Sequence, residues 1–198
     1  MSDCDILEII KNLDVKDLKE KATILLDNSL KQIQRIAEEK RYILDGDSEI
    51  YLEAINQAKN TKNNINATSL IDATNWINDN RLKEYFRIQK EIKTKKSDFE
   101  VNRIFILSDN DINSNIVREI IKEQIDAGFN IKIASINKLS KIIPKLMKDF
   151  IIFDNERAIR IEVVYRQYVR GDLTYNEDDI NELMSIFNEL WNWSKAFE

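Results

Sequence analysis

The polar side chains of this 198-residue sequence that could do chemistry fall at the ends of short apolar runs. Ser69 and Asp72, with Thr68, follow one such run. Ser108 and Asp109, with Asn110 and Asp111, follow a second, and Ser135 and Asn137 a third. Hydroxyls and carboxylates where strands give way to helices suit a small anion or a nucleotide held at helix N-termini. The same residue types also serve as plain caps and turns. Asp109 and Asp111 offer oxygen ligands to a divalent cation, but the rest of a calcium-loop pattern is missing and no metal is expected there.

A second group is basic. Residues 81–96 hold seven Lys or Arg and two Glu, and on a helix Lys83, Arg87 and Lys90 share a face opposite the apolar one. They form a candidate docking strip for phosphates, nucleic acid or an acidic partner, or else a solvated face whose terminal lysines suit the helix dipole. Residues 172–198 hold seven acids and one lysine, so two copies could meet through opposite charge, although exposed pairs contribute little. Of the tryptophans, Trp191 falls on an apolar helical stripe and reads as core. Trp193 falls off it and is the better candidate for exposure and partner contact.

What is missing narrows the chemistry as much. The chain has no histidine and one cysteine, so the commonest general base is absent, no intrachain disulfide can close, and a structural zinc site is excluded. Cys4 has no neighbouring base to make it a catalytic thiol. Three glycines provide no phosphate-cradling loop. No run of about 18 apolar residues would span a membrane, and the acidic first residues do not resemble a secretory leader. The expectation is a cytoplasmic protein without cofactor. Its 43% hydrophobic content is enough for a core, and a net charge of −5 argues against a protein that coats nucleic acid over its whole surface.

These residues must be positioned by regular elements, because three Gly and one Pro leave few tight turns. From Ile6 to Leu44 the chain reads as helix, broken near Asn12–Asp14, with Asp14 as a cap and Gly46 as a stop. Leu26, Leu30, Ile33, Ala37, Lys40 and Leu44 form a heptad-like seam, which either packs along its own domain or pairs with a second copy. A helix beginning at Asp47 or Ser48 follows. Strands are expected at 65–71, 101–107 and 131–136, alternating with amphipathic helices marked by Leu82, Tyr85, Phe86, Gln89 and Ile92 and by Ile116, Val117, Ile120, Ile121 and Ile125. A hairpin joins 150–153 to 158–165, Gly171 closes that section, and Asn176 caps an acidic first turn of the last helix. The fold class is α/β: a mixed, mostly parallel sheet with a C-terminal antiparallel hairpin, helices on both faces, and a long N-terminal helical segment. The domains are 1–46 and 47–198.

Several stretches in this order resemble one half-domain of the phospholipase D-like superfamily. They are Tyr51–Ile55 with Ala58-Lys59 leading into Ile65–Ser69, then Val101–Leu107, Asp126–Ile133 and Asp149–Asp154, with Phe187–Trp191 similar to the family's terminal helix. The likeness runs from about Glu49 to Trp193. Asp149–Asp154 looks like the strand and turn that carry the family's HxKxxxxD signature, where histidine attacks phosphorus, lysine steadies the phosphate and a second half supplies the acid. Alignment on Asp154 puts Met147 at the histidine and Asp149 at the lysine. A thioether is no such nucleophile, and a carboxylate repels phosphate. The resemblance therefore implies a non-catalytic regulatory or sensory module. It would self-associate through residues near 15 to 44 as a homodimer and bind a protein partner or small anionic ligand near Ser69, Asp72, Ser108, Asp109 and Asp154. Relatives of this kind look like binding modules, some attached to DNA-binding or signalling domains. The alternatives are a nucleic-acid-associated regulator using the basic helix 81–96, and an unrecognised phosphodiesterase or metal-assisted hydrolase.

Overall fold

In the computed structural model, residues 3–70, 75–165 and 167–197 are described. The chain divides into two compact units, residues 1–42 and 43–198. The first holds α1 (Asp3–Lys11) and α2 (Lys16–Glu39). Val15, not Asp14, stands at the N-cap of α2, and no side chain caps it. The helix ends at Glu39, five residues before the expected limit, and Lys40 turns left-handed with φ 55°. The next residues, Arg41–Asp45, form strand β1. The β-favouring Tyr42-Ile43 pair and the burial of Leu44 outweigh the helical spacing. Gly46 is thus no helix stop: with φ 81° it makes the turn from β1 into α3 (Gly46–Lys59).

After α3 come β2 (Asn64–Ser69), α4 (Asn75–Asn78), α5 (Asn80–Lys95), β3 (Glu100–Leu107), α6 (Asp109–Ile112), α7 (Asn115–Asp126), β4 (Asn130–Ser135), α8 (Ile136–Ile142) and a short 3-10 turn at Pro144–Leu146. The remainder is β5 (Asp149–Phe153), β6 (Arg157–Val164), β7 (Gln167–Thr174), α9 (Glu177–Trp193) and β8 (Lys195–Ala196). Asn176 caps α9 as expected, its side chain accepting the N–H of Asp178 at 2.9 Å.

Among the described residues the strands form one sheet in the order β1-β7-β6-β5-β2-β3-β4-β8. β2 pairs in parallel with β3, and β3 with β4. β5 runs antiparallel to β2, and β6 and β7 extend that half, so the antiparallel part is larger than a single hairpin. An asparagine ladder pins the parallel register: Asn102 Nδ2 donates to Asn66 Oδ1 at 2.9 Å, and Asn130 Nδ2 donates to Asn102 Oδ1 at 2.8 Å.

Strand alternation sends side chains to two helical layers. Ile65, Val101, Phe105, Ile151 and Phe153 meet α3, α5 and α7 on one face. Ile104, Ile106, Phe150 and Ile152 meet α9 on the other. Each such aliphatic residue contributes about 1.5–3 kcal/mol by leaving water. Gly171 lies inside β7 and does not end it. A Cβ there would stand 2.9 Å from Ile50 Cγ1 and 3.2 Å from Leu44 Cδ1, so the close approach of α3 and β1 requires glycine.

Candidate functional site

The chain arrangement converges where β2 ends and β5 begins. Leu70, Met147, Lys148, Asp149, Arg160 and Leu183 surround a cavity of about 230 Å³ there. Asp149 opens β5 on the face that also carries Ile151 and Phe153, and it is 3% exposed. Its carboxylate accepts the backbone N–H of Leu70 at 2.9 Å and the hydroxyl of Tyr168. Burial outweighs these bonds and raises its pKa to about 7. Met147, half-buried, contributes a thioether to the wall.

The two cations of the cavity are engaged by α9. Lys148 Nζ meets Glu182 at 2.9 Å, and Arg160 meets Asp179 at 2.7 Å and Glu182 at 3.3 Å. Lys148 beside Glu182 holds that carboxyl below its usual range. The Nε–H of Arg160 is buried with no hydrogen-bond partner, a donor a ligand oxygen could accept.

The structure disperses the residues singled out in the sequence. Asp154 sits at the opposite end of β5 from Asp149, in a turn where it and Asn155 have φ 54° and 58°. Its side chain accepts the N–H groups of Lys62, Asn63 and Asn64 at 2.9, 2.7 and 3.2 Å, so it is spent on backbone. Ser69 is buried and accepts Trp76 Nε1 at 3.4 Å. Ser108 and Asp111 form a capping box on α6. Asp109 accepts Ser135 Oγ at 2.7 Å and Asn137 Nδ2 at 2.8 Å, bonds that lower its pKa. Asp72 lies outside the described residues. Among those described, no three Asp, Glu or Cys side chains gather in a group able to hold a metal.

Lys83, Arg87 and Lys90 come together on the exposed side of α5, away from its buried Leu82, Tyr85, Ile88 and Gln89. With Trp76, Phe86 and Ile120 they line a groove of about 400 Å³ between α5 and α7. Arg87 is paired with Glu84 and Glu91, each one helical turn away. Trp193 is half-buried like Trp191, which stacks on Phe187 at 5.5 Å.

One feature was not singled out in the sequence: Arg103, 1% exposed in the middle of β3. Its guanidinium lies 4.5 Å from the Trp76 ring and donates to Gln89 Oε1 at 2.8 Å and to Gln124 Oε1. Burial lowers its pKa, and an arginine stays charged even so. Gln89 and Gln124, polar residues on otherwise apolar helix faces, are the trace that could have betrayed it.

The fold is phospholipase D-like. Nuc, a phospholipase D family member from Salmonella typhimurium, superposes with a TM-score of 0.57 at 10% identity over 80% of this chain and 99% of its own. NucT from Helicobacter pylori gives 0.54 at 11%, covering 79% and 97%. TrmBL2, an archaeal chromatin protein whose structure shows a novel mode of DNA binding, gives 0.53 at 13%, covering 91% of this chain and 65% of that one. No protein-family model matches the sequence, and a search of curated proteins finds no match. Among the described residues, no helix is long and apolar enough to cross a membrane.

Proposed function

We propose that this chain is a non-catalytic phospholipase D-like module that self-associates and recognises a partner or small anion. One observation carries the reading. The position aligned with the phosphate-holding lysine is Asp149, buried at the cavity floor and hydrogen-bonded to Leu70, while the position of the nucleophile is a thioether, Met147. Neither group can form or stabilise a phospho-enzyme intermediate. The unpartnered Arg160 Nε–H remains as a donor for an anionic oxygen.

The test is phosphodiesterase turnover with bis(nitrophenyl) phosphate. The expected rate equals the buffer blank. Turnover that disappears in Asp149→Ala and Arg160→Ala would overturn the non-catalytic reading.

Self-association is supported by α2, which has no buried residue and exposes Leu18, Leu25, Leu30, Ile33 and Ile36. A second amphipathic helix is the natural cover for such a stripe. Sedimentation of the full chain should give a dimer, and Leu25→Lys with Ile33→Lys a monomer. A wild-type monomer at high micromolar concentration removes this part of the reading.

A second reading, nucleic-acid association, draws on the convergence of Lys83, Arg87 and Lys90 beside two aromatic rings and on the likeness to a DNA-binding chromatin protein. Salt-dependent retention on DNA, lost on charge reversal of those three residues, would favour it.

A further inference from the structure

Where β4 meets β8, the sheet edge opens into a concavity of about 510 Å³. That is within the range of small-molecule sites, roughly 300–1,000 Å³. It lies at the carboxyl end of a parallel strand, where open α/β sheets take their ligands. The polar residues at this edge are already spent, since Ser135 donates its hydroxyl to Asp109 at 2.7 Å. Recognition there falls to other groups.

Two other kinds of side chain line it. Ile133 of β4, Ile112 of α6, Trp193 at the end of α9 and Phe197 beyond β8 supply an apolar lining with two aromatic surfaces. Arg118 of α7, Lys138 of α8 and Lys195 of β8 supply three positive charges to the lining, against the one nearby carboxylate of Asp109, which is bonded to Ser135 and also feels Lys138. In a chain of net charge −5, such a local excess is not an average property of the surface. The Arg118 guanidinium stands 5.0 Å from the Phe197 ring, which fixes the fork and one aromatic face together.

We propose that this concavity is a binding site for a small amphipathic anion, with a flat apolar body against Trp193 and Phe197 and a carboxylate, sulfonate or phosphate met by Lys138 and Lys195. The lining differs from that of the Asp149 cavity, so the site stands independently of the module's proposed lack of catalysis.

The test uses anilinonaphthalene sulfonate as the amphipathic anion and phenylnaphthylamine as its uncharged counterpart, each titrated into the full chain by fluorescence. The sulfonate should bind one molecule per chain and quench Trp193. Lys138 and Lys195 are exposed, so Lys138→Glu with Lys195→Glu leaves the fold intact, as far-ultraviolet circular dichroism will check. That pair should weaken the sulfonate roughly tenfold or more, the scale of a lost charge-assisted contact, and leave the uncharged probe unchanged. Trp193→Ala should weaken both. Equal sulfonate affinity in the charge-reversed pair overturns the proposal, as does a loss that instead follows Lys83→Glu with Lys90→Glu.

Discussion

The Asp154 carboxylate accepts the backbone N–H of Asn63 at 2.7 Å, across 91 residues of sequence. It also accepts those of Lys62 and Asn64, so the loop entering β2 is tied to the turn leaving β5. Asp154 is the residue that the resemblance aligns with the aspartate of the HxKxxxxD pattern, and its task here is backbone satisfaction. Its presence therefore says nothing for catalysis.

Replacing Asp154 with alanine should cost about 2–4 kcal/mol. Three backbone N–H donors, those of exposed Lys62 and Asn63 and half-buried Asn64, would lose a charge-assisted partner, and alanine tolerates φ 54° less well than aspartate does. Urea denaturation of the variant beside the parent measures it. A loss below about 0.5 kcal/mol would be the size of an ordinary surface substitution and would contradict the clamp.

Asp149 makes stability depend on pH in a direction opposite to the usual carboxylate. Its folded pKa is raised to about 7 from 3.8, so the folded chain holds a proton that the unfolded chain releases. The contribution is complete below pH 3.8 and declines as pH rises toward 7. In Asp149→Asn the decline is removed. The variant should gain about 3 kcal/mol on the parent between pH 5 and pH 8, at about 1.36 kcal/mol per unit over the two units up to pH 7. Paired urea melts at the two pH values give the difference directly, and an equal offset at both would refute a raised Asp149.

Gly171→Ala should destabilise by about 1–3 kcal/mol, the cost of an added methyl in a packed core, because the new Cβ would press on Ile50 Cγ1 at 2.9 Å. Ile50→Ala removes that atom. The double variant should then be more stable than the sum of the two single losses implies. Strict additivity in thermal melts would place the strain elsewhere.

Arg103→Met keeps much of the volume but orphans the Gln89 and Gln124 oxygens. A loss of about 2–4 kcal/mol is expected from those unsatisfied acceptors, measured by chemical denaturation. A neutral substitution would mean the buried guanidinium is dispensable for stability.

Local pattern carried much of the architecture. The period-two run around Ile159 and the four-and-three spacing of Val117, Ile120 and Ile121 appear at β6 and α7, because each element's burial follows its own repeat. β1, β7 and β8 were not legible. Arg41–Asp45 continues a helical spacing, Gln167–Thr174 exposes most of its outer residues, and Lys195–Ala196 is two residues long. All three owe their strand state to a neighbour in the sheet, which no local window contains.

The site divides the same way. Residue type alone established that no histidine is present to attack phosphorus and that one cysteine can close neither a disulfide nor a zinc site, since these depend only on what side chains exist. The tertiary structure alone decided that Asp154, in the turn leaving β5, ties backbone, while Asp149 at the start of β5 lies buried with a raised pKa. It also gathered Arg118, Lys138, Trp193 and Lys195 around one concavity. Hydrogen-bond partners, desolvation and cavity walls are supplied by residues distant in sequence, and only chain folding determines which of them arrive.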